Sequence, residues 1–153
     1  MNNNIELFSD GGSRGNPGPA ASAFVAEKNG KIIYCESKYL KIQTNNVAEY
    51  SAVELALSWL NKYSKKNKID SVIFHLDSLL IVNQLSGVFK IKSESLKKYF
   101  LNVKGLENNI NCKIKYVHVY REKNKMADLL VNKCLDQNFT LTKTVDGKLP
   151  LEK

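Results

Sequence analysis

The sequence predicts an α/β domain, a mixed five-stranded sheet flanked by helices with the element order β-β-β-α-β-α-α-β-α. Two observations predict this class. Three strand-like segments come in succession, and an Asn-Gly pair separates the second from the third. Later in the chain a near-continuous apolar run lies between two helical patterns. A strand reached through a helical crossover pairs in parallel with an earlier strand, so the sheet is expected to be mixed.

The first third of the chain predicts an antiparallel meander. Ile5–Phe8 alternates apolar and polar side chains, as a half-buried strand does. A turn rich in Gly and Pro follows over residues 9–19. The second strand, Ala20–Glu27, and the third, Ile32–Leu40, flank Asn29-Gly30, a pair typical of a tight hairpin.

Helical spacing dominates the chain after the meander. The longest helix is expected to start at Asn46 and end near Tyr63, with Glu49 as the partner of Asn46 in a capping box. The apolar run Ser71–Leu76 predicts a buried strand. The remaining elements, in chain order, are helices over Leu79–Leu85 and Ser93–Leu106, a strand over Lys113–Val119, and a helix over Lys125–Leu135 capped by Asn124.

Length and composition indicate one domain with a core of its own. The chain has 153 residues, of which 43% are hydrophobic. We expect the domain to span residues 1–137 and a C-terminal tail to span 138–153, with one added strand at Phe139–Leu141 left open. The chain shows neither a secretory signal nor an apolar run long enough to span a bilayer, and its three cysteines are widely spaced. These features predict a cytoplasmic monomer that does not bind membranes.

The net charge of +8 favours an anionic partner, with nucleic acid first. The excess comes mainly from lysine in a chain rich in Asn, Lys and Ile, and such a composition also arises from genome base bias. Charge therefore supports nucleic-acid binding without establishing it.

Four acidic residues lie at comparable places, at the ends of predicted elements. Asp10 ends the first strand, Glu49 lies in the first turn of the long helix, Asp77 ends the buried strand and Asp128 begins the last helix. Each has an ordinary structural explanation: a turn, a capping box, an N-cap and a favourable helix-dipole contact, respectively.

The four acids together indicate more than four separate caps. Sites in open α/β sheets form beyond the carboxyl ends of strands, where Asp10 and Asp77 are expected to meet. Gathered carboxylates raise one another's pKa unless cations neutralise them. Hard oxygen ligands select Mg²⁺ or Mn²⁺, and a pair of such ions is the usual apparatus of phosphodiester hydrolysis.

The chain resembles type 1 ribonucleases H over roughly residues 4–137. The resemblance rests on four motifs that occur in the expected order and on the expected elements. They are Asp10-Gly11-Gly12-Ser13-Arg14-Gly15-Asn16-Pro17-Gly18, Thr44-Asn45-Asn46-Val47-Ala48-Glu49, Asp77-Ser78, and Asn124-Lys125-Met126-Ala127-Asp128.

This resemblance implies hydrolysis of the RNA strand of an RNA–DNA hybrid, leaving 5′-phosphate and 3′-hydroxyl ends. It implies two ions, Mg²⁺ or Mn²⁺, with Asp10 bridging both, Glu49 and Asp77 completing one site, and Asp128 completing the other. It further implies that substrate is contacted by a set of residues from the turn, the long helix and the last loop: Gly11, Gly12, Asn16, Thr44, Asn45 and Arg121. The glycines are expected to let the backbone approach the RNA closely.

The sequence departs from the wider family at three places. Many members carry a loop His before the last helix; here His118 falls in a strand pattern and Arg121 in the loop, so Arg121 is favoured for that place. His75 is interpreted as a sheet residue. The segment from Gly87 to Ser95 is too short for the basic protrusion found in many members, and Leu79 replaces a polar residue that reaches the substrate.

Three alternatives stay open on the sequence alone. Double-stranded RNA also presents 2′-hydroxyls in a wide minor groove, so it is a second candidate substrate. A non-catalytic binding module of the same fold is the alternative from another class, although a pure binder has no need of four carboxylates. The third is another nuclease of the same superfamily.

Overall fold

The computed structural model describes residues 2–137 and 141–143. Its strands, in chain order, are β1 (Asn4–Ser13), β2 (Gly18–Lys28), β3 (Lys31–Gln43), β4 (Ser71–Leu76), β5 (Lys113–His118) and β6 (Leu141–Lys143). Its helices are α1 (Asn45–Ser64), α2 (Leu79–Leu85), α3 (Glu94–Asn108) and α4 (Lys125–Gln137), and a short 3₁₀ turn spans Arg121–Lys123. The predicted element order is confirmed, with β6 added.

The sheet has the strand order β5-β4-β1-β2-β3-β6. The strands β1, β2 and β3 form the antiparallel meander, and β4 pairs in parallel with both β1 and β5, so the sheet is mixed as predicted. The hairpin at Asn29-Gly30 is confirmed, since both residues have positive φ, 52° and 76°. In contrast to the five strands expected, β6 adds a sixth at the β3 edge, where Ser37 pairs with Leu141.

The short strand β6 lies within the segment that the sequence assigned to a C-terminal tail. The expected added strand at Phe139–Leu141 is only partly accessible to a test, because Phe139 lies outside the described residues. The boundary between domain and tail therefore stays a prediction.

Each face of the sheet carries its own apolar core. On one face, α1, α2 and α3 bury Leu7, Phe24, Tyr50 and Phe74. On the other, α4 packs Leu130 and Val131 against β1, β2 and β3. Since side chains alternate along a strand, Asp10 lies on the face of β1 that carries α4, with Glu6 and Phe8.

One predicted helix start is wrong. The long helix begins at Asn45, and its N-cap is Thr44, whose hydroxyl accepts a hydrogen bond from the Val47 N–H at 3.2 Å. Asn46 is therefore inside the helix, and Glu49 is not its capping partner. Among the described residues, none of the helices is both long and apolar enough to cross a bilayer.

Candidate active site

Three acidic side chains meet at the carboxyl end of β4. The predicted position of Asp10 at the end of its strand is wrong, because β1 runs on to Ser13 and Asp10 pairs with Ala23 inside it. The two strands are parallel neighbours with Ser9 opposite Leu76, so the next residues, Asp10 and Asp77, come out side by side. Helix α1 crosses this edge and brings Glu49 from its first turns. One carboxylate oxygen from each of the three acids lies within 4.8 Å of the others. The expected convergence on Asp10 is therefore present in the fold.

Glu49 is held by the backbone of β1. The Gly11 N–H donates to Glu49 Oε1 at 2.8 Å. The first turn of α1 is fixed from below, because the Ser22 hydroxyl donates to the Ala48 carbonyl at 2.6 Å. These contacts hold the carboxylate of Glu49, a residue only 8% exposed, against β1 at the residue that follows Asp10.

The cluster is electrostatically costly when no cation is bound. Burial, followed by the charges of Asp77 and Asp128, raises the pKa of Asp10 to about 8. Burial and the charges of Asp10 and Asp77 raise the pKa of Glu49 well above its usual value. Burial also raises the pKa of Asp77, and the Arg121 charge partly opposes it. The fold therefore concentrates negative charge that its own cations do not neutralise.

Asp128 lies next to Asp10. It sits in the first turn of α4 and forms a hydrogen bond with Asp10. It lines the same cleft, of about 540 Å³, but does not belong to the compact trio. The structure thus gathers all four predicted acids around one cavity.

Asn124 holds the loop before α4 against β1. It was expected to cap α4, but its buried side chain donates to the Ser9 carbonyl at 2.8 Å. A hydrogen bond from the same residue helps to hold down the pKa of Asp77. This positioning role lay outside the sequence prediction, because it depends on a contact between residues 115 positions apart.

Asn16, Thr44 and Asn45 make hydrogen bonds that join the Gly/Pro turn to the start of α1 or cap that helix. Asn16 Oδ1 accepts from the Asn45 N–H at 3.0 Å, and Asn45 Oδ1 accepts from the Ser13 N–H at 2.9 Å. Of the three, Asn45 lines the cleft, whereas Asn16 and Thr44 are not among its lining residues. Their oxygen atoms organise the rim, and substrate contact stays a prediction for each.

The two glycines after Asp10 differ in what requires them. A Cβ on Gly11 would lie 2.2 Å from the carbonyl carbon and oxygen of Ala48, so this glycine is needed for the packing of β1 against α1. A Cβ on Gly12 would have only Asn45 Oδ1 as a neighbour, at 4.0 Å. The expected role in RNA approach therefore has no competing internal explanation at Gly12, whereas Gly11 has one.

Arg121 reaches the cleft and His118 does not. Arg121 lines the cavity, and its charge lowers the pKa of both Glu49 and Asp77. The His118 ring instead meets the Tyr120 ring edge-on at 5.4 Å. Arg14 and Asn132 also line the cleft and were not among the predicted site residues. Leu79 is exposed, and residues 86–93 join α2 directly to α3.

The donor set fits divalent metal ions. It consists of carboxylate oxygens, which Mg²⁺ and Mn²⁺ prefer. The three acids of the trio are close enough to share an ion. Burial and their mutual charges disfavour the ionised carboxylates, and a bound cation would relieve that cost. Asp10, Glu49 and Asp77 are the residues that could hold an ion together, with Asp128 beside them.

Comparison with known proteins identifies the family. The sequence profile described as reverse transcriptase-like matches residues 8–134. This chain belongs to the reverse transcriptase-like family of ribonuclease H-like proteins. Among its relatives, a bifunctional protein of Mycobacterium tuberculosis is 36% identical over 134 residues, which are 86% of this chain and 35% of that protein. The chain thus spans about a third of the length of its mycobacterial relatives.

A second relative is ribonuclease HI of the archaeon Halobacterium salinarum. It is 32% identical over 133 residues, covering 86% of this chain and 64% of that protein.

Solved structures of ribonuclease H1 enzymes share the fold. LC11 ribonuclease H1 in complex with an RNA/DNA hybrid superposes with a TM-score of 0.84 at 38% identity, covering 88% of this chain and 98% of that one. The Halobacterium salinarum ribonuclease H1 superposes with a TM-score of 0.79 at 31% identity, covering 87% and 98%. The fold predicted from the sequence is therefore confirmed.

Proposed function

We propose that this protein is a metal-dependent endonuclease that hydrolyses the RNA strand of RNA–DNA hybrids, leaving 5′-phosphate and 3′-hydroxyl ends. The observation that carries the proposal is the compact trio of Asp10, Glu49 and Asp77. Burial, and then the charges of neighbouring acids, raise the pKa of Asp10 and Glu49. The similarity to a ribonuclease H1 solved with an RNA/DNA hybrid supports the choice of substrate.

We assign the four acids to two divalent ions, Mg²⁺ or Mn²⁺, with Asp10 shared between them and Asp128 serving the more open position. Bound ions supply the positive charge that activates a water for in-line attack and stabilises the leaving oxygen. The chain's own residues orient the reactants. Glu49 is held by a hydrogen bond from the Gly11 N–H, and Asp77 by a hydrogen bond with the Asn124 side chain. In this assignment Arg121 binds phosphate and stays charged throughout.

Substrate selection in this proposal depends on the duplex shape. A wide minor groove with 2′-hydroxyls admits the RNA strand to the cleft, and Gly12 leaves room for its backbone. Double-stranded RNA shares that groove and is included in the test. We propose that the enzyme acts as a monomer, because a single chain supplies all four acids. The cytoplasmic location stays a prediction.

The test compares labelled hybrid, double-stranded RNA and double-stranded DNA, each with Mg²⁺ and with Mn²⁺. Wild type is expected to cleave the RNA of the hybrid only when a divalent ion is present. Asp10→Asn is expected to lose that cleavage by at least roughly a thousandfold, because it removes the ligand shared by both ions. Wild type that binds hybrid yet cleaves it with neither metal would show that the site is not a nuclease.

A further inference from the structure

The chain contains only two arginines, Arg14 and Arg121, among 23 cationic side chains. All its other cations are lysines. Both arginines line the 540 Å³ acidic cleft, and the lining residues of that cleft include no lysine within the part of the chain that the structure describes. The cleft where a phosphate backbone is expected is therefore lined by arginine, although lysine is by far the commoner cation in this chain.

The two residue types differ in what they can bind. A guanidinium is planar and offers donors in a fixed fork that matches two oxygens of one phosphate, whereas an ammonium is a compact point charge. Arg at both places, in a chain whose other cations are all Lys, favours paired hydrogen bonds to phosphate over positive charge alone.

Arg14 is held in place by the last helix. Its Nη1 lies 2.6 Å from Asp136 Oδ1, and its Nη2 donates to Asn132 Oδ1 at 3.3 Å. Both partners are on α4, at spacings of four and eight residues after Asp128, so they lie along the same side of the helix as that acid. Asn132 is about 6 Å beyond Asp128 along the helix axis, because each residue rises about 1.5 Å.

The ion pair with Asp136 does not by itself explain Arg14. The two side chains are 47% and 57% exposed, and exposed pairs of this kind contribute little to stability. Only part of the guanidinium fork is used by α4, which leaves donors for a further acceptor. A guanidinium that is oriented in advance loses less side-chain entropy when it binds.

We propose that Arg14 is a substrate-binding residue that holds a phosphate flanking the scissile one, at the rim of the cleft that Arg121 also lines. This inference rests on the proposed function and extends it to a residue of the Gly/Pro turn. In this arrangement Asp136 and Asn132 orient the guanidinium, and Asp136 also competes with the phosphate for it. The alternative is that Arg14 is a structural link between the turn and α4.

The test measures hybrid affinity without turnover, in an Asp10→Asn background and about 0.1 M salt. Arg14→Gln is expected to weaken binding roughly tenfold, since a charge-assisted hydrogen bond to phosphate is lost. Arg14→Lys is expected to restore only part of that loss. The slope of log affinity against log salt is expected to become shallower by about one in Arg14→Gln, as for the loss of one phosphate contact.

Asp136→Asn separates the two explanations. If Arg14 binds phosphate, removing its competitor leaves hybrid affinity equal to or tighter than that of the parent. If Arg14 is a structural link, Asp136→Asn breaks the same link and weakens binding as Arg14→Gln does. The matched control is the remote exposed pair Lys68 and Asp70, at 3.9 Å, changed to Lys68→Gln and Asp70→Asn. Both controls are expected to stay within twofold.

Thermal unfolding of each variant verifies that it is folded. Equal weakening by Arg14→Gln and Asp136→Asn, or no effect of Arg14→Gln, would overturn the inference. These outcomes are distinguishable from failure of the proposed function, which is decided by cleavage of hybrid by wild type with Mg²⁺ or Mn²⁺.

Discussion

Glu6 and Asp10 lie on the same face of β1, toward its opposite ends, and each belongs to a group of acidic side chains. Toward the amino end, Glu6 faces Glu27 on β2, and Glu6 Oε1 lies 2.9 Å from His75 Nε2. Toward the carboxyl end, Asp10 meets Glu49 and Asp77. Burial raises the pKa of both Glu27 and Asp10, so burial alone does not distinguish the groups.

The two groups differ in the positive charge that lies near their carboxylates. The charge of His75 lowers the pKa of Glu27. The His75 ring is stacked on the Phe8 ring, with their centroids 4.4 Å apart. At the other end, three acids and Asp128 share a cleft in which the main opposing charge on Glu49 and Asp77 is the exposed Arg121. The acids at the amino end of β1 have the charged side chain of His75 as a partner. The acids in the cleft have little positive charge near them, and this indicates a cationic ligand.

The largest expected difference is between removing a carboxylate from the group at the carboxyl end of β1 and removing one from the group at its amino end. Asp77→Asn is expected to lower kcat for hybrid cleavage by roughly a thousandfold, because a metal ligand is lost. Glu27→Gln removes a carboxylate of raised pKa from the other group and is expected to leave kcat within twofold. Steady-state kinetics with a labelled hybrid measures both. Comparable losses in the two variants would erase the distinction between the groups.

The glycines next to Asp10 sharpen the same comparison in terms of stability. Gly11→Ala is expected to reduce the unfolding free energy by about 3 kcal/mol, because its methyl group meets the Ala48 carbonyl at 2.2 Å. Gly12→Ala has room and is expected to stay within about 0.5 kcal/mol. Urea denaturation measures both. If Gly12 faces RNA, its variant folds normally and raises KM for hybrid; a KM unchanged from wild type would remove that role.

The last expected effect is on stability in the absence of metal. Because the pKa of Asp10 is raised to about 8, the folded state keeps a proton that the unfolded state releases near pH 4. Between these values the unfolding free energy therefore falls as the pH rises. Denaturation in chelator at pH 5 and pH 8 tests this, and Mn²⁺ or Mg²⁺ at pH 8 is expected to restore the stability.

Asp10→Asn provides the internal comparison for that experiment. The variant is expected to show a flatter pH dependence in chelator and to gain less from added metal. Asp70→Asn removes an exposed carboxylate remote from the cleft and is expected to behave as wild type does. A wild-type stability that rises between pH 5 and pH 8 would contradict the electrostatic account of the cluster.

The parts of the fold that follow from local pattern were predictable from the sequence. Alternation located the strands, and Asn29-Gly30 located the hairpin. The acids were singled out because they end elements, and parallel pairing of β1 with β4 places Asp10 beside Asp77. Their proposed ligand and catalytic roles still await the experiments described above.

Features that depend on distant contacts were not predictable in the same way. Asn46 is as good a cap by residue type as Thr44, and only the start of α1 at Asn45 decides between them. Gly11 looked like a turn residue, but α1 packing against β1 explains it. The position of Arg14 on the rim depends on α4, although one signal was present in the sequence: the scarcity of arginine in a lysine-rich chain.

The hydrogen bond from Asn124 to Ser9 has a consequence for the order in which the molecule is made. It joins residues 115 positions apart, and Asp128 follows Asn124 by a single helical turn. A growing chain therefore exposes Asp10, Glu49 and Asp77 well before α4 emerges to close the cleft over them. Closing so long a loop is a slow, late event in folding. The site is thus expected to become able to bind and cleave only when synthesis of the domain is nearly complete, because Asp128 is the last of the four acids to be made.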